Sequence, residues 1–244
     1  MILAAGLGTR LGQMTSNKPK ALVEINGRTL LEIVIEKIKS FGFDDIIINL
    51  HHFPEQIINF LKKKNNFKIK INFSIERELL DTGGGLKRAG WFFRDSKPFL
   101  VHNVDILSDL DLKKMYQKHL ALNGLATLAI RKRETSRYLI FNNNNNLIGW
   151  ENKKTGEKIM SRKEKEENFF GFSGIQIIDP KIFSLMPKEN SFSIIKLYLK
   201  LAKQYEIKGF DHSDSFWIDA GKPELLKEAE TRLLSGITKT ALRR

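Results

Sequence analysis

The opening stretch, MILAAGLGTRLGQMTSNKPKALVEI, constrains this chain more than any other. A short apolar run at residues 2–5 passes directly into Gly6, Leu7, Gly8, Thr9 and Arg10. That pattern predicts a buried first strand handing over to a glycine-rich loop at its C-terminal end, where open α/β sheets bind ligands. Gly6 and Gly8 carry no Cβ, so backbone N–H groups can approach phosphate oxygens, while Thr9 adds a hydroxyl and Arg10 a forked cation. The loop is therefore expected to be an anion cradle.

Two familiar cradles do not fit it. The dinucleotide fingerprint G-x-G-x-x-G needs a third glycine where this chain has Leu11, and no acidic residue closes a second strand about twenty residues later. A Walker A loop needs Gly-Lys-Ser/Thr five residues after Gly6, where the chain has Leu11, Gly12 and Gln13.

Downstream, periodicity alternates between strand and helix. Residues 29–41 place Leu30, Ile33, Val34, Ile38 and Phe41 at helical spacing and stop at Gly42. Residues 45–50 read as a buried strand, Pro54 opens a helix through residue 64, and residues 68–75 alternate so that Ile69, Ile71, Phe73 and Ile75 face inward. Further strands are expected at 98–104 and 125–131, with a helix between them. Such alternation predicts an α/β fold with a mainly parallel sheet and helices on both faces. After residue 131 the pattern is less regular. The asparagine tract 142–146 suits a hairpin tip, the mixed-charge run 153–167 an exposed loop or hairpin, residues 169–178 a strand, and 191–205 and 225–235 helices.

A chain of 244 residues, 41% of them hydrophobic, is long enough for one sizeable core, and one domain is expected. No apolar run reaches the roughly eighteen residues of a membrane span, no leader precedes the first strand, and there are no cysteines, so a cytoplasmic protein without membrane partners is expected. The formal charge of +13 raises the question of nucleic acid, but the basic clusters at 62–64, 68–70 and 131–133 are dispersed, and no nucleic-acid partner is expected.

Two carboxylates and one glycine run stand out. Asp105 follows an apolar strand, where a carboxylate beside a phosphate cradle is well placed to hold Mg²⁺, an ion that takes one or two carboxylates plus substrate phosphates. Asp219, in SFWIDAGKPE, offers a second acid at another strand end, with a loop cap before Gly221 as its plain alternative. Gly83, Gly84 and Gly85 open a helix at entropic cost, so something must need bare backbone there; a nucleobase or ribose is one such thing, and a flexible junction is the plain alternative.

Taken with Pro19-Lys20-x-Leu22, the opening motif resembles that of the sugar-1-phosphate nucleotidyltransferases, or NDP-sugar pyrophosphorylases, whose signature runs L-A-A-G-x-G-T-R-L, then P-K-x-L. The resemblance implies a Rossmann-like nucleotide-diphospho-sugar transferase fold, with Arg10 and Lys20 as catalytic triphosphate ligands and Leu3, Ala4, Ala5, Gly6, Gly8 and Thr9 against the nucleotide. Residues 79–86 are similar to the L-x-T-x-G-x-L segment, which implies base and ribose contacts from Thr82, Gly83, Gly84 and Glu76. The stretch His102-Asn103-Val104-Asp105 is similar to the N-G-D motif, keeping Asn103 for the nucleotide and Asp105 for the metal but with Val104 in the glycine position. Glu151 falls where the glutamate of E-K-P contacts sugar hydroxyls, without the proline, and Phe172 and Ser173 lie in an F-S-G-I segment that implies sugar contacts. Asp219 matches W-x-D-x-G-T-P-E, with Lys222 in the threonine position. Asp105 and Asp219 would then share one Mg²⁺.

These motifs occur in family order along the whole chain. They imply a nucleotide-binding half at 1–131, a sugar-binding half that completes the metal site at 132–235, and a basic tail at 236–244. The implied reaction joins an NTP to a sugar 1-phosphate, giving an NDP-sugar and pyrophosphate, in a monomer or homodimer. HHFPEQI, LLDTGGG and FSGI are most similar to the N-acetylmuramate 1-phosphate uridylyltransferases of peptidoglycan recycling, which puts UTP with N-acetylmuramate 1-phosphate first and GTP with mannose or heptose 1-phosphate second. The sequence shows neither the left-handed β-helix nor the acyltransferase domain of larger members of the family, so a second activity is not expected. The rival of another class is a non-catalytic regulatory subunit that binds a nucleotide-sugar, for which Val104 and Lys222 would speak.

Overall fold

The computed structural model describes residues 1–94 and 97–235, so the basic tail at 236–244 lies outside the described residues. The elements run β1 (Ile2–Leu3), β2 (Glu24–Ile25), β3 (Arg28–Thr29), α1 (Leu30–Ser40), β4 (Asp45–Leu50), α2 (Pro54–Lys63), β5 (Lys70–Ile75), α3 (Asp81–Arg88), β6 (Phe99–Asn103), β7 (Ile106–Ser108) and α4 (Leu112–Leu122). They continue with β8 (Ala126–Arg131), β9 (Arg137–Phe141), β10 (Leu147–Asn152), β11 (Glu157–Met160), β12 (Asn168–Ile178), α5 (Ile194–Leu201), β13 (Ile207–Asp211), β14 (Trp217–Asp219) and α6 (Pro223–Ser235). Among the described residues no helix is long and apolar enough to cross a membrane.

Local chemistry sets the boundaries of these elements. Thr29 caps α1 by accepting the Glu32 N–H at 3.1 Å, and the helix buries Leu30, Leu31, Val34, Ile35 and Ile38 before Gly42 stops it at φ 86°. Pro54 starts α2, where a missing N–H costs nothing. Asn26 and Gly27, at φ 52° and 73°, turn β2 back into β3 as an Asn-Gly pair favours.

The chain forms two compact units. Among the described residues, the first comprises Met1–Leu79, His102–Leu112 and 216–235, and the second Leu80–Val101 and Lys113–Ser215. In the first unit β1 lies parallel to β4, pairing Leu3 with Asn49, and parallel to the end of β6, pairing Leu3 with Asn103. β5 adds to β4, also parallel, and β14 pairs antiparallel with β7, setting Asp219 opposite Ile106. Successive β4 side chains point to opposite faces of the sheet and both faces are covered, so Ile46 to Leu50 is a continuous buried run. Helix α1 packs on β7, and α6 on β14 and β2.

One strand face departs from expectation. Ile75 is 44% exposed, whereas Ser74 is 4% exposed and Glu76 3%. Strand alternation turns Ser74 and Glu76 inward together, so the C-terminal end of β5 presents a polar inner face and Ile75 points away from it.

The second unit is mostly antiparallel, in the order β11-β10-β9-β12-β8-β13, with only β13 parallel to β8. The asparagine tract forms the β9–β10 turn: Asn142 Oδ1 accepts the N–H groups of Asn144 and Asn146 at 3.1 and 2.9 Å, and Asn145 takes φ 55°. The mixed-charge run forms the β10–β11 turn and β11 itself, the hairpin of the two expected forms. Helix α3 packs on α5, and α5 on β10.

Candidate active site

Four charged side chains from distant positions meet within the first unit. Lys20 Nζ donates to Asp105 Oδ2 at 2.7 Å. Arg10 Nη2 lies 3.7 Å from the same oxygen, and Arg10 Nη1 donates to Asp219 Oδ2 at 3.1 Å. The Asp105 side chain is 8% exposed and that of Arg10 54%, so the cluster runs from the interior to the surface. Asp105 follows β6, Asp219 ends β14, and the β7–β14 pairing brings them to one edge, where the Ala220 N–H donates to the Asp105 carbonyl at 2.8 Å.

Gly221 closes the cluster. Its N–H donates to Asp219 Oδ1 at 3.0 Å. A Cβ on Gly221 would stand 2.6 Å from Asp105 Oδ2 and 2.9 Å from both Asp219 Oδ1 and Arg10 Nη2. Oxygens of the two carboxylates thus lie within 2.9 Å of a single point. Two hard oxygen donors so placed suit a small divalent cation whose remaining ligands are phosphate oxygens and water. Among the described residues no three His, Cys, Asp or Glu side chains gather into a fuller cage.

The glycine loop wraps Lys20. Gly8 has φ 71°, and a Cβ there would meet Thr15 Cγ2 at 3.0 Å and Lys20 Cβ at 3.1 Å. Thr15, which the sequence reading passed over, donates from Oγ1 to the Gly8 and Gly12 carbonyls at 3.0 and 3.2 Å and pins the 3₁₀ helix Thr9–Thr15 against the loop. Gly6 and Thr9 are exposed, as a cradle requires. Leu3 and Ala5 are largely enclosed, and the Leu3 carbonyl accepts the Val104 N–H at 3.0 Å. The Val104 side chain is buried, so it does not obstruct the cluster.

Several nucleotide candidates are occupied by the protein itself. The Ala4 N–H donates to Asn49 Oδ1 at 2.8 Å, so it is not open to a phosphate. Glu76 is buried, and its Oε1 accepts from Asn49 Nδ2 at 2.6 Å, which removes it from the position of a ribose contact. Gly83 and Gly84 both donate their N–H groups to the Phe192 carbonyl, at 2.9 and 3.3 Å. A Cβ on Gly83 would stand 2.8 Å from that oxygen, and one on Gly84 would overlap the Asn190 carbonyl. Segment 190–192 lies against this backbone and leaves no room for a side chain on either glycine. Thr82 is engaged likewise, its Oγ1 accepting the Ile194 N–H at 3.1 Å. Asn103, half-buried at the end of β6, accepts from His102 Nδ1 through its carbonyl at 2.8 Å.

His102 lies near the end of β6. It is fully buried, and Nδ1 must be the protonated nitrogen because its partner is a carbonyl, which leaves Nε2 as an acceptor without a partner. Burial, with Lys37 nearby, pushes its pKa down to about 3. Burial also lowers Lys37 to about 8, against the opposing pull of Asp109 and Asp111, while its Nζ donates to the Ser108 carbonyl.

The sugar candidates lie in the second unit. Glu151, on β10, pairs with Lys153 at 2.8 Å. Phe172 sits where the β8–β12 register shifts, and its carbonyl accepts from Arg133 Nη2 at 3.2 Å. Ser173 is fully buried with its Oγ 2.7 Å from His212 Nε2, so its hydroxyl serves the interior and not a sugar.

Residues 1–236 match the profile of the family described as nucleotidyl transferase. The chain belongs to that family. Mannose-1-phosphate guanyltransferase 2 of Candida glabrata is 30% identical over 230 residues, covering 92% of this chain and 61% of the relative. Mannose-1-phosphate guanyltransferase of Yarrowia lipolytica is 29% identical over 98% of this chain and 65% of its own length. The chain thus spans under two thirds of either curated relative. The crystal structure of HddC from Yersinia pseudotuberculosis complexed with GMP-PN superposes with a TM-score of 0.76 at 26% identity, over 95% of this chain and 97% of that one. Membership of the nucleotidyl transferases fits the architecture described above, a mixed, largely parallel core sheet with flanking helices in the Rossmann-like nucleotide-diphospho-sugar transferase fold.

Proposed function

We propose that the chain transfers a nucleotidyl group from an NTP to a sugar 1-phosphate, forming an NDP-sugar and releasing pyrophosphate. One observation carries this reading: Arg10, Lys20, Asp105 and Asp219 converge, two cations against two carboxylates, at the end of a glycine loop. A pure binding module has no need of both carboxylates there.

In the resting protein each cation faces a carboxylate. An entering triphosphate offers Arg10 and Lys20 new anionic partners, which frees Asp105 and Asp219 to hold Mg²⁺, whose chemistry when bound is to neutralise charge on phosphate oxygens. Gly6, Gly8, Thr9 and Asn103 border the nucleotide, with Leu3 and Ala5 behind it. An oxygen of the sugar phosphate attacks the α-phosphorus in line; the bond from that phosphorus to the bridging oxygen breaks, and pyrophosphate leaves with the electron pair. The nucleophile is already an anion, so no general base is required. Lys20 and Arg10 stabilise charge on the transferring and leaving groups from fixed positions. Glu151 and Phe172 are the sugar contacts in this reading, which assigns the nucleotide to the 1–131 half and the sugar to 132–235.

For the substrates, GTP with mannose or heptose 1-phosphate takes precedence over UTP with N-acetylmuramate 1-phosphate. The curated relatives are named mannose-1-phosphate guanyltransferases and HddC was solved with GMP-PN. The test is pyrophosphate release from each NTP against a panel of sugar 1-phosphates. GTP with mannose 1-phosphate is expected among the productive pairs; release from none would favour the binding-subunit alternative.

A further inference from the structure

A buried polar relay leads from β5 to the first residue of the glycine loop. Asn49 lies on β4 opposite Leu3 of β1 on one side and Ser74 of β5 on the other. It is buried, as is Glu76 just beyond β5. A carboxylate can only accept, so Asn49 Nδ2 must face Glu76 Oε1, at 2.6 Å, and Oδ1 is left to accept the Ala4 N–H, at 2.8 Å. Glu76 is itself anchored: its N–H donates to the Leu50 carbonyl at 2.7 Å, and its own carbonyl lies 3.0 Å from His51 Nδ1. Two residues beyond Ala4 the backbone reaches Gly6, where a Cβ would stand 3.6 Å from Lys20 Nζ.

We infer that Asn49 is a positioning residue for nucleotide binding, oriented by the Glu76 carboxylate and holding the Ala4 amide so that the glycine loop leaves β1 in register with Lys20. The inference rests on the nucleotidyltransferase reading above and reassigns Glu76 from a nucleotide contact to the anchor of this relay. Asparagine is required because the relay needs an acceptor toward β1 and a donor toward β5 from one short side chain. Aspartate has no donor and would set two carboxylates face to face.

The test exchanges donor and acceptor. Asn49→Asp should weaken NTP binding by roughly ten- to a hundredfold near neutral pH, the loss that follows when a buried polar pair is broken. Adding Glu76→Gln to Asn49→Asp supplies an amide donor facing the new carboxylate and should restore most of that affinity, a coupling that two independent lesions would not produce. The Asn49→Asp defect should also shrink on acidification, because one shared proton re-forms the relay. The double variant should show no such pH dependence when each affinity is taken as a ratio to wild type at the same pH.

The probe is whichever of GTP, UTP, CTP, ATP and dTTP the wild type binds most tightly, read by calorimetric titration, with melting temperatures recorded on the same samples. Wild-type-like binding by Asn49→Asp, or equal weakness in the single and double variants, would overturn the inference while leaving the proposed reaction intact. If the wild type binds none of the five, the proposed reaction fails and with it the relay's purpose. Melting temperatures would still report, through the same rescue, whether the exchange of donor and acceptor holds.

Discussion

Arg10 Nη1 donates to Asp219 Oδ2 at 3.1 Å across 209 positions of chain. The pair joins the two ends of the described sequence, and through Arg10 Nη2 and Lys20 it extends to Asp105. Because oxygens of the two carboxylates converge on the point next to Gly221, a cation held by one is within reach of the other. Asp105→Asn and Asp219→Asn are each expected to abolish most pyrophosphate release, and the double variant to lose much less than the sum of the two free energies, since either change empties the same site. Strictly additive losses in a double-mutant cycle of kcat/KM would instead leave Asp219 as the cap of the Gly221 turn.

Lys20 lies 2.7 Å from Asp105, and among the described residues its loss leaves that carboxylate Arg10 at 3.7 Å. Lys20→Ala should reduce kcat by two to three orders of magnitude, about 3 to 4 kcal/mol of transition-state stabilisation, with little change in melting temperature. A kcat close to wild type would remove Lys20 from the site.

The glycine run of α3 is a packing requirement, so its substitution should be felt as instability. Gly84→Ala places a methyl group against the Asn190 carbonyl and 2.9 Å from Leu80 Cβ, and an overpacked contact of this kind costs about 1 to 3 kcal/mol. A lowered urea midpoint checks this. An unchanged midpoint with weakened NTP binding would return the run to the role of a base contact.

His102 makes the fold acid-sensitive. Its folded pKa is lowered from 6.5 to about 3, so the unfolded chain takes up a proton first and stability falls as the pH drops from about 6.5 toward 3, by at most about 1.4 kcal/mol per pH unit. Replacing it in His102→Leu should remove that component, giving a flatter melting temperature between pH 6.5 and 4. An unaltered slope would show that other groups carry the acid sensitivity.

The sequence was most legible where one short stretch contains its own reason. The helical period from Leu30 to Ile38, Pro54 at a helix start, the buried run of β4 and the glycine loop before Arg10 all follow from local sterics and periodicity, and each is found as expected. Where a residue's partner lies in a distant segment, the local pattern picks out the residue and cannot show the partner. Gly83 and Gly84 lie against residues 190–192, and Glu76 accepts from Asn49.

The sequence by itself determined that this chain has a glycine-rich loop after its first strand, two separated acids and an α/β alternation, because spacing and residue chemistry act over a few positions and survive in one dimension. Only the tertiary structure decided that Lys20 and Arg10 sit on those acids, that Gly221 leaves the space between them open, and that Ser173, Thr82 and Glu76 are used inside the protein. A side chain's partner depends on which strands pair and in what register. For Asp105 and Asp219 that is the antiparallel match of β7 with β14, elements more than a hundred residues apart that no local pattern in either segment specifies.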